Sequence, residues 1–476
     1  MNVPSLTFLG FTALIAVLLH GWRAVWWRDA VRLVANIVFL ATFARDPRAW
    51  LPFAGFLALG YVGVWMLQSD RHAVRRLFPA LCCIIVLTYI WLKRYTVIPD
   101  AMLLHMPYAV IGLSYVFFRV LHLVIDAHDG TLPDRLGPVP YLNYTLDFCC
   151  IVSGPIQRYQ DYHRAQTVPP ATGMRAAGRA IERIIVGFFK VAVLSDLLHA
   201  MQTQALHALT PDLPLASGVV WGATIAVAYP LYLYCNFSGY TDVVIGAAWF
   251  TGNSLPENFD RPFTAENFIT FWTRWHITLS TWLKTYVYSP LLLSMSRRWP
   301  SRRAEPYLAV LSFFVTFFLI GVWHGRTSLF IVFGFLQGIG VAGNKLYQIA
   351  MARRLGRPRY RALCANAAYQ AVARGLTFTW FTFTLFWFWS SWTQIGGLAE
   401  ELGGLGLAVV WGSILLGATI VLAGVEAARS GMASRAQAFL LSRYTRTVWC
   451  TALVVVSASL TLLLDLPAPH IVYRAF

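Results

Sequence analysis

Apolar positions along this chain gather into long runs separated by short polar links. Such runs cover residues 4–19, 33–43, 51–67, 77–92, 106–125, 184–198, 219–234, 307–323, 376–392, 407–425 and 448–464. Several reach the roughly 17–25 residues that an α-helix needs to cross a bilayer. The weaker ten-residue alternation of a transmembrane β-barrel is absent from the pattern. The pattern therefore predicts an all-α, polytopic helical membrane protein, with roughly 10–12 spans at the usual length per crossing. The first run lacks a basic leader and a small-residue cleavage site, so it reads as a retained helix rather than a signal peptide.

Three places break the rule. The run 106–125 contains Arg119 and His122 and is followed by Asp126. Charged groups at that depth should face protein or water, not lipid. The run 144–156 is short for a span and ends in Gly154-Pro155, which predicts a broken or re-entrant helix. His324 follows the run 307–323 and stands beside Gly325 and Arg326, in a predicted tight turn before the apolar run resumes at Leu329. Backbone groups freed in such a turn need partners in protein or in a wet cavity.

The longest polar stretch, 234–290, is the centre of the reading. It holds Asn236, Ser238, Tyr240 and Asp242, then Pro256-Glu257-Asn258-Phe259, then an aromatic segment from Phe268 to Val287. In that segment Phe268, Trp272, Trp275, Leu279, Trp282, Leu283 and Tyr286 recur at three- and four-residue steps. This predicts one amphipathic helix, interfacial or re-entrant because Arg274 and Lys284 oppose a full crossing. On that helix His276 lies about 40° from Trp272, at the edge of the apolar stripe. Periodicity alone leaves two readings for His276, a packed bystander or a site residue.

Composition narrows the class. The chain has 476 residues, 58% hydrophobic and 12% charged, about half the charged fraction of a soluble domain. Its net charge is +17, but the basic residues lie in links between apolar runs. They read as topology signals, and no nucleic-acid partner is expected. The seven cysteines form no C-x-x-C pair and no His–Cys zinc spacing, so no metal is expected.

The ordered set Gly112-Leu113-Ser114-Tyr115, Ser153-Gly154-Pro155-Ile156, Gly187-Phe188-Phe189-Lys190, Asn236 to Asp242, Leu255 to Phe259, Phe271 to Trp282 and Trp323-His324-Gly325 resembles the membrane-bound O-acyltransferase family. It is most similar to the bacterial branch that includes alginate O-acetyltransferases and the D-alanyl transfer protein of teichoic acid synthesis. The motifs lie within residues 100–350, flanked by helices in 1–99 and 351–476, all in one integral membrane domain of residues 1–476. The resemblance implies a bundle thinned at its centre, with His324 matching the catalytic histidine and His276 the second one. Asn236, Ser238, Tyr240, Asp242, Arg274, Trp275, Ser280 and Trp323 are the candidate substrate-binding residues. The chain departs from alginate-type members at Ser289-Pro290-Leu291-Leu292-Leu293, where those usually carry a proline-leucine-glycine-glycine turn.

The implied reaction moves an acyl group, acetyl or D-alanyl, from a cytoplasmic thioester to a hydroxyl of an extracytoplasmic envelope glycan or polymer. The donor is acyl-coenzyme A or a phosphopantetheine carrier protein, a co-substrate rather than a tightly bound cofactor. The implied partners are membrane lipid, that donor, the glycan acceptor and an accessory extracytoplasmic acyltransferase, with the chain in a bacterial inner membrane. A neutral histidine suits removal of the hydroxyl proton. No G-x-S-x-G elbow is present, so direct transfer is expected. His276 is left with two roles, orienting the acceptor or stabilising the oxyanion. The alternative class is a transporter or lipid flippase, since broken helices and buried charges occur there too.

The basic links at 23–32, 70–76, 157–183, 297–303, 353–361 and 429–446 are expected in the cytoplasm, and the Gly-rich segment 396–406 with Glu400 and Glu401 in a loop outside. A membrane-impermeant thiol reagent on intact cells should label a cysteine placed at Glu400 and not one at Ser301. The opposite pattern inverts the topology.

Overall fold

A computed structural model describes residues 3–44, 46–69, 75–104, 106, 108, 111–167, 173–210, 212–431, 439 and 442–463. Among them every regular element is helical, and one isolated antiparallel bridge joins Phe259 to Trp275. Among the described residues six helices are long and apolar enough to cross a membrane: Pro47–Leu67, Met174–Ala208, Leu215–Phe250, Glu305–His324, Ser328–Leu355 and Trp392–Gly431. The chain is an all-α, polytopic integral membrane protein. It divides into two compact units, one made of Met1–Phe189, Phe237–Glu257 and Ser459–Phe476, the other of Lys190–Asn236 and Asn258–Ala458.

The first unit begins with α1 (Leu6–Gly21), α2 (Val25–Ala41), α3 (Leu51–Leu67) and α4 (Phe78–Leu92). It continues with α5 (Leu113–Asp129), α6 (Pro138–Thr145), α7 (Tyr159–Thr167) and α8 (Met174–Phe189). Arg119, on α5, is 1% exposed. Its Nη1 donates to the carbonyls of Tyr144 and Thr145 at 2.9 and 3.2 Å. Those carbonyls end α6 and have no intrahelical partner, so the guanidinium caps the broken helix with a favourable charge. The run 144–156, expected as a broken or re-entrant helix, is helical only at its first two residues: α6 ends at Thr145 and the chain runs on without regular structure through Gly154-Pro155 to α7. His122 is buried beside the same turn, its Nε2 3.0 Å from the Tyr144 hydroxyl, which donates to the Gln157 carbonyl at 2.6 Å.

Arg175, Arg179 and Arg183 do not lie in a loop as expected; they sit on α8. Their four-residue spacing puts them on one helical face, while Ala180 and Gly187 are buried. Arg183 forms ion pairs with Asp242, at 2.9 Å, and with Glu257.

The second unit starts with a π-helical turn, Lys190–Ser195, and α9 (Asp196–Ala208). Helix α10 (Leu215–Phe250) starts in this unit and ends in the other. Then follow α11 (Phe268–Trp272), α12 (Ile277–Leu283), a second π-turn Lys284–Tyr288, and α13 (Ser289–Arg298). The remaining helices are α14 (Glu305–His324), α15 (Ser328–Leu355), α16 (Arg357–Ala365), α17 (Ala367–Thr384), α18 (Phe386–Trp389), α19 (Trp392–Gly431) and α20 (Arg443–Leu463).

Two further expectations are corrected here. The segment 268–287 is not one helix; it breaks between Trp272 and Ile277. The Gly-rich segment 396–406 is not a loop; it is helical on both sides of a kink at Gly403 (φ 61°, ψ 176°), which divides α19. Glycine is more frequent inside membrane helices than in soluble ones. The links at 70–76 and 429–446 lie partly outside the described residues.

Helices α14 and α15 form a close hairpin. A Cβ on Gly321 would stand 2.2 Å from the Gly334 Cα, so only hydrogen fits there. Gly321→Ala should therefore lower the apparent melting temperature of the detergent-solubilised protein, by the ~1–3 kcal/mol typical of overpacking. Gly10→Ala, where a Cβ meets nothing within 4 Å, should not lower it.

Candidate active site

His324 is the last residue of α14, not a residue of the following turn as expected. The helix stops because Gly325 is extended and α15 starts at Ser328. A Cβ on Gly325 would lie 2.0–2.5 Å from the Phe330 ring, so the chain turns back against that ring only with glycine. The His324 imidazole is 4% exposed. Phe388 and Phe333 meet it edge to face at centroid distances of 5.1 and 5.9 Å, and Trp323 lies at 4.7 Å. Trp323 is thus beside His324, in an aromatic wall that excludes bulk water.

His276 sits in the break between α11 and α12. Its backbone is left-handed, φ 45° and ψ 53°, an uncommon conformation for a β-carbon residue. Neighbouring chain holds it there. The Ile277 N–H donates to the Asn258 carbonyl, and the Asp260 N–H to the Arg274 carbonyl, each at 2.9 Å. The Asn258 Oδ1 accepts from the Thr278 N–H at 3.2 Å and the Thr278 hydroxyl at 2.9 Å, and lies 3.2 Å from His276 Nδ1. His276 is 1% exposed and Asn258 likewise. The break lies outside the six candidate spans, and burial pushes the His276 pKa down to about 3. Its ring is therefore neutral near neutral pH.

Trp275 anchors the break from the apolar side. It stacks on Phe271 at 5.6 Å and touches Phe381 of α17 at 4.9 Å and Phe259 at 5.1 Å. Trp272 reaches Phe317 of α14 at 5.1 Å. Phe317 precedes His324 by seven residues on α14, and Phe381 precedes Phe388 by the same interval. The two histidines are thereby fixed at separate points of one aromatic framework.

The other candidates divide. Arg274 donates to the Thr264 hydroxyl at 2.9 Å, and the Ser280 N–H donates to the His276 carbonyl at 3.0 Å. Asn236 donates to the Ser195 hydroxyl at 3.1 Å, at the end of the first π-turn; such turns recur at functional sites. These belong to the unit that holds both histidines. Ser238, Tyr240 and Asp242 belong to the other unit. There Tyr240 accepts from the Ser153 N–H at 3.3 Å, Asp242 pairs with Arg183, and the buried Ser238 hydroxyl has no partner among the described residues.

Asn258 is the residue that sequence reasoning missed. It stood in view within Pro256-Glu257-Asn258-Phe259, but nothing in spacing ties it to a histidine 18 residues away.

A sequence model of the membrane-bound O-acyltransferase family matches residues 127–388, a span that includes both histidines and ends at the Phe388 that packs on His324. The chain is 30% identical over 234 residues to the teichoic acid D-alanyltransferase of Bacillus subtilis (strain 168), which covers 48% of this chain and 57% of that protein. It is 27% identical over 356 residues to the probable alginate O-acetylase of Pseudomonas aeruginosa, covering 70% of this chain and 64% of that protein. With the probable alginate O-acetylase of Azotobacter vinelandii it shares 29% identity over 253 residues, 52% and 47% of the two chains. The matched segments thus span less than two thirds of each relative's length.

Proposed function

The chain belongs to the membrane-bound O-acyltransferase family, and from that membership we propose that it moves an acyl group, acetyl or D-alanyl, onto a hydroxyl of an envelope polymer. The relatives named for alginate and teichoic acid support this acceptor class. The proposed donor is a cytoplasmic thioester of coenzyme A or of a phosphopantetheine carrier protein, and the proposed setting is a bacterial inner membrane. An accessory extracytoplasmic acyltransferase would complete the partners.

The observation that carries this reading is the His324 site: a buried imidazole at a helix end, enclosed by aromatic rings, inside the family-matched segment. In the proposed reaction the acceptor hydroxyl loses its proton to His324 as its oxygen attacks the thioester carbonyl. The carbon–sulfur bond then breaks, and the departing thiolate takes up a proton. His324 acts as general base, a role worth ~10²–10⁴-fold in rate. Exclusion of water limits hydrolysis of the thioester. The polar handle of the donor need not enter hydrocarbon, because only the acyl group has to reach the histidine.

The test is transfer of labelled acetyl or D-alanyl groups from thioester donors to envelope polymer by the purified protein. Transfer also separates this reading from a transporter or flippase. His324→Ala should remain folded yet transfer at least ~10²-fold more slowly. A folded variant with near-normal turnover would remove His324 from the role of base.

A further inference from the structure

The clasp around His276 determines which of its nitrogens carries the proton. The Asn258 side-chain atom facing Thr278 receives a backbone N–H, which can only donate. That atom is therefore the carbonyl oxygen Oδ1, and the amide cannot be flipped without setting two donors against each other. The same Oδ1 lies 3.2 Å from His276 Nδ1. An oxygen without a hydrogen only accepts, so Nδ1 donates and bears the proton. The neutral ring then has its lone pair on Nε2.

We propose that Asn258 is a positioning residue that locks His276 in the Nδ1–H tautomer, so that Nε2 accepts a hydrogen bond from a neighbouring hydroxyl of the polymer, beside the one that gives its proton to His324. This rests on the acyl-transfer reading and resolves the two roles left open for His276. A neutral Nε2 without hydrogen cannot donate to an oxyanion, but it can accept from a neighbouring hydroxyl of the polymer, which holds the attacking oxygen near the thioester carbon and leaves that oxygen's own proton for His324. Burial opposes the doubly protonated ring that would restore a donor. The competing reading is that Asn258 merely caps α12 through Thr278. Capping alone leaves unexplained the left-handed backbone that brings Nδ1 to the same oxygen.

The experiment is nitrogen NMR of the purified protein carrying ¹⁵N-labelled histidine. The signal of His276, one of 11 histidines, is identified by its loss in His276→Gln. Wild type should show the neutral Nδ1–H form. Asn258→Ala should lose that preference and transfer about 10–100-fold more slowly, the scale for losing a group that orients a functional histidine. The loss should fall on kcat rather than KM. Asn258→Asp keeps the capping oxygen and should keep the Nδ1–H form. Thr278→Val, which removes only a capping hydroxyl, should leave the tautomer unchanged. An Nε2–H or doubly protonated His276 in wild type overturns the proposal even if Asn258→Ala does not fold. So does an Asn258→Ala protein with an unaltered tautomer, whatever its activity, and a changed tautomer with wild-type transfer overturns the role given to His276. Because the spectrum needs no substrate, a wild-type protein that transfers nothing sinks the functional reading without deciding the tautomer.

Discussion

A helix broken inside a membrane protein leaves N–H and C=O groups with no water to bind, and each must find a partner within the protein. This constraint shapes the chain wherever it departs from plain helices. At the end of α6 the partner is Arg119, a charge buried to satisfy two carbonyls. At His276 the partner is the extended segment 258–260, which supplies a carbonyl, an amide and a side-chain oxygen to the gap between α11 and α12. The histidine stands in a gap whose Ile277 and Thr278 amides and Arg274 carbonyl are all taken up by that segment. Aromatic packing holds the pieces in register: Trp275 on Phe271 and Phe381, Trp272 on Phe317.

His324 reaches a similar condition by another route. Its helix simply ends, Gly325 lets the chain fold back onto Phe330, and Phe333 and Phe388 close over the ring. One histidine is thus oriented by hydrogen bonds and the other enclosed by ring edges. That difference suits the division of labour proposed for them, in which one nitrogen holds the polymer through a neighbouring hydroxyl and the other removes the proton of the attacking one. Neither arrangement requires a charged ring in the ground state, which would be costly where water is scarce.

Most of the fold was legible because the apolar runs are long, and length alone separates a membrane helix from a core helix. That the chain fails to cross as one helix near 144–156 was legible through Gly154-Pro155, but the helix end at Thr145, nine residues before that pair, was not. The break at His276 was not. Aromatic residues continue at helical spacing across it, since Phe271 and Trp272 of α11 and Trp275 in the break itself all pack against α17 and α14. Only the distant Asn258 reveals that the helix stops. The Gly-rich part of α19 misled in the opposite direction, because glycine marks loops in soluble proteins but is frequent inside membrane helices, and only Gly403 leaves helical dihedrals there. The histidines themselves could be picked out from the residues around them, but the tautomer of His276 could not, because it depends on a contact between residues 18 apart.

The most direct test of the fixed, hydrogen-bonded break is amide hydrogen exchange across residues 274–280 of the detergent-solubilised protein. The Ile277 and Thr278 amides donate to Asn258, so they should exchange at least ~100-fold more slowly than those of the exposed Arg302 and Arg303 in the turn before α14, as paired buried amides do. Exchange at the rate of that turn would show an open gap, and neither the orientation of His276 nor its tautomer could then be fixed by Asn258.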